Sequence, residues 1–120
     1  KSRAYATAIA TTSGATGEMT FAQAILATGS RPIALPGVPF REQSRIMSST
    51  GALGLVDIPE RLLVVGAGYV GMELGSVYAA LGSRVTLVEL ASELLPGTDR
   101  DLVRPLEHRS REGFEAIHLG

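Results

Sequence analysis

Hydrophobic residues change their spacing along the chain, and this spacing predicts the strands and helices. Residues 62–65 form a continuous apolar run, which is typical of a parallel strand buried on both faces. A second apolar run, at residues 85–88, ends at Glu89. Residues 61–89 are therefore predicted to be a βαβ unit, with a helix that ends near Gly82. That helix is expected to bury one apolar stripe, made of Val70, Leu74, Val77, Tyr78 and Leu81.

The chain before the βαβ unit carries weaker patterns. Residues 4–12 and 20–27 are small and apolar on either side of a turn cluster, so we expect two strands paired as a hairpin. Residues 31–60 are rich in proline and glycine. We expect a linker there, with a short helical turn at 50–55 that Ser49 caps.

One more helix and one more strand are predicted after the βαβ unit. The helix covers residues 99–111, and Thr98 with Asp101 has the spacing of a capping box at its start. Pro105 lies inside this helix and lacks an N–H, so we expect a kink or a later start there. Residues 114–119 are predicted to be the third strand.

The turn between the first parallel strand and its helix carries a glycine motif. Residues 66–71 read G-x-G-x-x-G, directly after a strand and at the start of a helix. Gly66 permits a tight turn, Gly68 lets a diphosphate approach the backbone, and Gly71 lets the helix pack closely on the strands. Gly75 extends that small face by one turn. The helix N-terminus also offers unpaired N–H groups and a positive dipole end to the diphosphate.

Glu89 stands where a ribose-binding carboxylate is expected. It ends the second strand 18 residues after Gly71, close to the usual spacing of about 20. A carboxylate there accepts hydrogen bonds from the ribose hydroxyls and repels a 2′-phosphate, and no Arg or Lys follows before Arg100. This favours NAD over NADP. The alternative is a structural βαβ turn with an incidental glutamate.

The motif and the strand pattern together predict the fold class and the organisation of the chain. The fold is α/β, with an incomplete Rossmann-like dinucleotide-binding domain at residues 61–120, preceded by a β-hairpin within residues 1–30. Residues 31–60 connect the two parts.

Other polar residues near the motif leave two interpretations open. Tyr69 and Glu73 lie in the first two turns of the predicted helix, where each either faces the nucleotide or is an ordinary packing or solvated residue. His108 is predicted to lie on a solvated helix face and His118 in the last strand, and neither is expected to be catalytic. Asp99 and Asp101 are better explained by helix capping than by acid–base chemistry.

Composition and charge exclude several classes of function. The 120 residues contain no cysteine, which excludes disulfides, thiolate metal sites and redox chemistry by the chain's own thiols. The net charge is −1 and the basic residues are scattered, so we expect no nucleic-acid partner. We also expect no metal site, because the two histidines are far apart. No apolar run approaches the ~18 residues of a membrane span, so a cytoplasmic protein is expected.

Two stretches carry a family resemblance. Residues 24–37, AILATGSRPIALPG, and residues 48–102, which include the glycine motif, resemble the pyridine nucleotide–disulfide oxidoreductases, and among them the dihydrolipoamide dehydrogenase branch. The resemblance covers about residues 20–120. It implies that Ala27, Thr28 and Gly29 close the last strand of an FAD-binding domain and pass near the flavin.

The resemblance also implies roles for the residues of the second half. Gly66, Gly68 and Gly71, with Val70 in the same motif, would hold NAD together with Glu89. Tyr69 would cover the nicotinamide pocket, and Glu73 would reach toward the nicotinamide and the flavin.

At the level of the whole enzyme, the resemblance implies an internal segment of a larger flavoprotein. The parent would be a homodimer associated with a 2-oxo-acid dehydrogenase complex, and it would oxidise dihydrolipoyl groups with NAD through FAD and a redox disulfide that this chain lacks. Mercuric reductase, NADH oxidase or another disulfide reductase stays open as an alternative, as does a non-catalytic nucleotide-binding module. The segment alone is expected to be inactive, and marginally stable or self-associating.

Overall fold

The computed structural model describes residues 4–7, 18–23, 25, 27–40 and 44–120. The chain divides into two compact units, Lys1–Arg31 and Pro32–Gly120. In chain order, the elements are β1 (Ala4–Thr7), β2 (Glu18–Phe21), α1 (Ser49–Leu53), β3 (Arg61–Val65), α2 (Tyr69–Ala80), β4 (Arg84–Glu89), α3 (Arg100–Gly113) and β5 (Ala116–Leu119).

The first unit contains the predicted hairpin. β1 and β2 pair antiparallel, with Ala4 opposite Phe21 and Thr7 opposite Glu18. The prediction of a strand over residues 20–27 is wrong in extent, because β2 begins earlier and ends at Phe21. Composition alone does not make a strand, since its backbone also needs a partner for hydrogen bonding. Residues 8–12 of the first predicted strand lie outside the described residues.

The second unit is a three-stranded parallel sheet with the order β3-β4-β5. Leu62 lies opposite Val85 and Thr86 lies opposite Ala116. α2 joins β3 to β4, and α3 joins β4 to β5. The predicted βαβ unit and the third strand are confirmed, and the fold class is α/β.

The sheet of the second unit is buried on one face. Val85 and Leu87 are fully buried on the face that α2 covers, and Val64 of β3 packs against the same core. On the opposite face, Leu63 is 61% exposed and Val65 is 52% exposed. The expectation that β3 is buried on both faces is therefore wrong. An apolar run fits that arrangement, but burial also requires a layer on each side of the sheet.

α2 packs through a face that only partly overlaps the stripe expected from periodicity. Met72, Gly75 and Tyr78 are buried, whereas much of the predicted stripe is solvent-exposed: Val70 is 41%, Val77 42% and Leu81 50% exposed. Of that stripe, Tyr78 is buried and Leu74 is half-buried. Two faces of α2 lack charged residues. The face with Gly71 and Gly75 lets the helix axis come closer to β3.

Both ends of α2 fit the sequence. Gly68 is its N-cap residue, and Gly82 follows its end with a φ of +104°. The N–H of Gly82 donates to the carbonyl of Ala79 at 3.0 Å, and the N–H of Ser83 donates to that of Tyr78 at 2.9 Å. This is the Schellman arrangement that glycine favours, so the predicted role of Gly82 is confirmed.

Residues 52–60 of the expected linker are bonded to the rest of the second unit. The Tyr78 hydroxyl donates to the carbonyl of Ala52 at 2.9 Å, and the Ser83 hydroxyl donates to that of Pro59 at 2.6 Å. α1 is capped by Ser48, whose hydroxyl accepts from the N–H of Gly51 at 3.2 Å. The predicted cap, Ser49, is instead the first residue of the helix, one position further on.

α3 begins before its proline. Its N-cap is Asp99, whose carboxylate accepts from the N–H of Asp101 at 3.0 Å, so the predicted capping role of Asp99 is confirmed. The capping box of Thr98 with Asp101 is wrong by one position. A start delayed to Pro105 is also wrong, because the helix begins at Arg100. A proline inside a helix removes one donor, and the surrounding turns still form where their packing is favourable.

Candidate functional site at the glycine-rich loop

The loop between β3 and α2, residues 66–68, begins with a conformation that glycine favours. Gly66 has a φ of +102°, in the left-handed region. Its N–H donates to the carbonyl of Val88 at 2.8 Å, so the loop leaves β3 while still bonded to β4. The tight turn expected at Gly66 is present.

Gly71 allows the first turn of α2 to lie against this loop. A Cβ on Gly71 would collide with the carbonyl oxygen of Gly66 and lie 3.4 Å from Cγ1 of Val64. One turn later, a Cβ on Gly75 would lie 3.0 Å from the ring of Phe114. The two glycines therefore set the close approach of helix to strand, as their spacing predicts.

Gly68 differs from the other two glycines of the motif because the protein's own packing does not require it. Among the described residues, no atom lies within 4 Å of a Cβ built at this position, and its φ is −71°. No side chain in the described part of the chain caps this end of α2. The open space therefore lies beside the N–H groups of the first helical turn, which have no partner within the helix. An anionic group fits here by charge and by room.

Glu89 lies at the end of β4 and is bonded to the glycine-rich loop. Its Oε2 accepts from the N–H of Ala67 at 2.6 Å, and its Oε1 accepts from the N–H of Ala91 at 2.8 Å. The N–H of Ala91 and then that of Ala67 lower the pKa of Glu89, because they stabilise the carboxylate, while burial opposes them. Glu89 is therefore charged at neutral pH and joins β4 to the loop.

Sequence reasoning did not predict that Ala67 and Leu95 help to hold this loop in place. The carbonyl of Ala67 accepts from the N–H of Leu95 at 2.9 Å, and Leu95 itself has a φ of +48°. Ala67 is fully buried between these contacts. Nothing in the sequence indicated that the leucine at position 95 would adopt a left-handed conformation.

Known proteins resemble this chain over most of its length. The family model described as pyridine nucleotide-disulphide oxidoreductase matches residues 2–115. The chain belongs to this family. Dihydrolipoyl dehydrogenase 2 of Haloarcula marismortui is 50% identical over 94 residues, and dihydrolipoyl dehydrogenase of Geobacillus stearothermophilus is 46% identical over 99 residues. These matches cover 78% and 82% of this chain.

A solved structure shares the fold of this chain. The water-forming NADH oxidase from Lactobacillus brevis, bound to NADH, has a TM-score of 0.62 and 28% identity, covering 91% of this chain and 26% of that one. The chain spans about a fifth of the length of the curated relatives it matches. The family resemblance predicted from the sequence is confirmed, and the family is one of FAD- and NAD(P)-dependent oxidoreductases.

The remaining site residues predicted from the resemblance lie in two places. Tyr69, Val70 and Glu73 stand in the first two turns of α2, all exposed, and Tyr69 is 73% exposed. Tyr69 therefore does not serve the core. Residues 27–29 belong to the other unit, are exposed, and include Gly29 with a φ of +81°.

Both histidines are exposed, as predicted for His108, and His118 lies in the last strand, as predicted. His108 is exposed on α3, where its Nε2 lies 3.4 Å from the carboxylate of Glu112, and His118 is exposed on β5. Within the described residues, no cluster of His, Asp and Glu could hold a metal ion. In the same part of the chain, the helices are too short or too polar to cross a membrane.

Proposed function

We propose that this chain is the NAD-binding part of a dihydrolipoamide dehydrogenase-like flavoprotein. The observation that carries the proposal is the Glu89 carboxylate, hydrogen bonded to a glycine-rich loop at the carboxyl ends of two adjacent parallel strands. Ligands of open α/β sheets bind at this end of the strands. The relatives named dihydrolipoyl dehydrogenase support the specific enzyme.

The residues divide between the parts of the dinucleotide. Gly68 and the first-turn N–H groups of α2 would hold the diphosphate, with Gly66 and Gly71 shaping the turn. Glu89 would accept hydrogen bonds from the adenosine ribose, since each of its oxygens has a further lone pair.

The nicotinamide end of the dinucleotide would lie toward α2. Tyr69, Val70 and Glu73 would face it, while Ala27, Thr28 and Gly29 would lie near the flavin of the parent enzyme. When bound, the nicotinamide supplies the hydride chemistry, which belongs to the cofactor. The chain's own residues bind and orient it.

The charges around Glu89 favour NAD over NADP. Glu89 would repel a 2′-phosphate, and no cation follows it before Arg100. The Arg100 guanidinium is itself engaged, with Nη1 3.5 Å from the Glu93 carboxylate and Nη2 3.3 Å from the Glu107 carboxylate. A 2′-phosphate would therefore meet a negative group, and the first arginine that follows Glu89 is already paired.

The parent enzyme would oxidise dihydrolipoyl groups and pass electrons through a disulfide and FAD to NAD. It would be a homodimer that associates with a 2-oxo-acid dehydrogenase complex. The chain has no cysteine, so the disulfide would be contributed by another part of the parent. An NADH oxidase is the second candidate, favoured by the shared fold with the Lactobacillus brevis enzyme. Assaying the parent with dihydrolipoamide and with O₂ as alternative substrates separates the two.

The binding role is tested by Gly68→Ala. We expect this variant to keep its fold, because the added methyl group meets no atom of the described residues within 4 Å. Its affinity for NADH should fall at least about tenfold, because the methyl group occupies the approach of the diphosphate. The matched control is Gly113→Ala, whose added methyl group also meets no atom within 4 Å. Titrations with NADH and thermal unfolding measure both quantities.

The same titrations test the choice of cofactor. Wild-type chain should bind NADH more tightly than NADPH, and Glu89→Ala should narrow that preference. Equal affinity of wild type for the two nucleotides would contradict the role of Glu89. Unaltered NADH affinity in Gly68→Ala would contradict the whole binding proposal.

A further inference from the structure

The loop that joins β4 to α3, residues 90–99, is held by backbone hydrogen bonds and by one buried side chain. Leu94 is fully buried in the core. The N–H of Thr98 donates to the carbonyl of Leu95 at 3.0 Å, which closes a turn. Leu95 has a φ of +48°, in a region that leucine rarely adopts. Such a conformation persists where surrounding contacts impose it.

Arg100 is the side chain that holds this loop from α3. Its Nη1 donates to the carbonyl of Leu94 at 3.1 Å, and its guanidinium also contacts Glu93 and Glu107. Glu107 is held in turn by Arg111, whose Nη2 lies 2.7 Å from its Oε1. The Leu94 carbonyl, which accepts from Arg100, and the N–H of Leu95 belong to the same peptide plane.

The peptide between Leu94 and Leu95 is hydrogen bonded to the glycine-rich loop. The N–H of Leu95 donates to the carbonyl of Ala67 at 2.9 Å. The carbonyl of Ala67 shares a planar trans peptide with the N–H of Gly68, so the two groups point in opposite directions. Fixing the carbonyl toward Leu95 therefore fixes the Gly68 N–H to point away from Leu95.

We propose that Arg100 and Leu95 are positioning residues for the nucleotide site. Arg100 orients the peptide between Leu94 and Leu95, that peptide orients the one between Ala67 and Gly68, and the N–H of Gly68 is thereby directed before any nucleotide arrives. The inference rests on the proposed function only for its final step, the contact of this N–H with a diphosphate. The orientation of the loop is a property of the chain without nucleotide.

The first test uses the ¹⁵N-labelled full chain without nucleotide. Arg100→Met should speed hydrogen exchange at the Leu95 amide by about tenfold, because that N–H loses its fixed geometry. It should also shift the amide resonance of Gly68. The control is Arg104→Met on the same helix, whose arginine is 75% exposed and pairs with Asp101. Equal exchange and unshifted Gly68 resonances in the two variants would overturn the proposal.

The second test deletes the N–H of Leu95 and weakens the Leu94 carbonyl as an acceptor for Arg100, without changing a side chain. An ester in place of the amide at Leu95, introduced by semisynthesis, deletes the N–H that reaches Ala67, while Leu95→Ala keeps that N–H. We expect NADH affinity to fall about tenfold in the ester and to change less in Leu95→Ala. Adenosine, which lacks phosphates, should bind both equally. Equal loss of adenosine and NADH binding would mean a general structural role and overturn the positioning role.

The two tests separate this inference from the proposed function. If wild-type chain does not bind NADH, the proposed function fails, but the exchange rate at Leu95 and the Gly68 resonance still decide whether Arg100 positions the loop. If NADH binds and neither Arg100→Met nor the ester changes its affinity, the positioning role fails and the proposed function stands.

Discussion

At position 67 the backbone is bonded in two directions. The N–H of Ala67 reaches the carboxylate of Glu89 and its carbonyl reaches the N–H of Leu95. Its side chain is fully buried, so a larger residue there would displace one of these partners. The loop owes its shape to this residue between the glycines as much as to the glycines themselves.

The lowered pKa of Glu89 predicts how stability depends on pH. A carboxylate whose pKa lies below its ordinary 4.5 stabilises the fold above that pH, and this contribution is lost as the pH falls through the lowered value. Glu89→Gln replaces one accepting oxygen with an NH₂ group that faces an N–H donor. At pH 7 we expect the free energy of unfolding to fall by about 2 kcal/mol. Chemical denaturation at a series of pH values measures it.

The difference between wild type and Glu89→Gln should shrink as the pH falls below 4.5, because the unfolded carboxyl then binds a proton, whereas the folded one, with its lowered pKa, does so only at lower pH. Glu112→Gln is the matched control, since its carboxylate lies on the surface beside His108 and should contribute little. If the difference in unfolding free energy between wild type and Glu89→Gln stayed constant down to acid pH, the stabilising role of the Glu89 carboxylate would be contradicted.

Sequence reasoning located the chemistry-bearing residues of this site better than the contacts that hold them. The spacing from Gly71 to Glu89 sufficed to predict that the carboxylate lies at the loop, since parallel strands end at one edge. The contribution of Leu95 could not be predicted, because leucine favours no positive φ and its hydrogen bond spans a long stretch of chain.

At the scale of elements, α2 demonstrates why periodicity did not select the packed face. Val70, Val77 and Leu81 form one apolar stripe, and Gly71 and Gly75 form a small-residue stripe roughly 100° away around the helix. Both satisfy the same period. Contact with β3 selects the second stripe, because Gly71 fits where any Cβ would collide with the loop.

This choice of face gives a prediction for the stability of α2. Gly75→Val should lower the free energy of unfolding by about 1–3 kcal/mol, because its side chain would press on the ring of Phe114. Val77→Ser should cost less, since Val77 is 42% exposed. Ala80→Val, on the exposed side of the same helix, controls for the helix propensity of valine. Thermal and urea unfolding compare the three, and the reverse order would mean that the valine stripe is the packed face.

At the scale of the molecule, the sheet of the second unit has one uncovered apolar face. Leu63 and Val65 of β3 are both more than half exposed, and among the described strands β3 pairs with β4 alone. A strand with a free edge and an apolar face is a site for pairing with another chain. The self-association expected from the sequence is therefore predicted to involve the exposed face of β3 that carries Leu63 and Val65.

We predict that the chain associates with itself as its concentration rises, and that Leu63→Lys shifts it toward monomer. The charge would be buried in the associated form, where it is unfavourable, and solvated in the monomer. Leu102→Lys is the control, because Leu102 is 73% exposed on α3. Sedimentation velocity over a wide range of concentrations distinguishes the outcomes. If Leu63→Lys leaves the association unchanged, the contact lies elsewhere on the molecule. If the wild-type chain is a monomer at every concentration, this exposed face does not drive self-association.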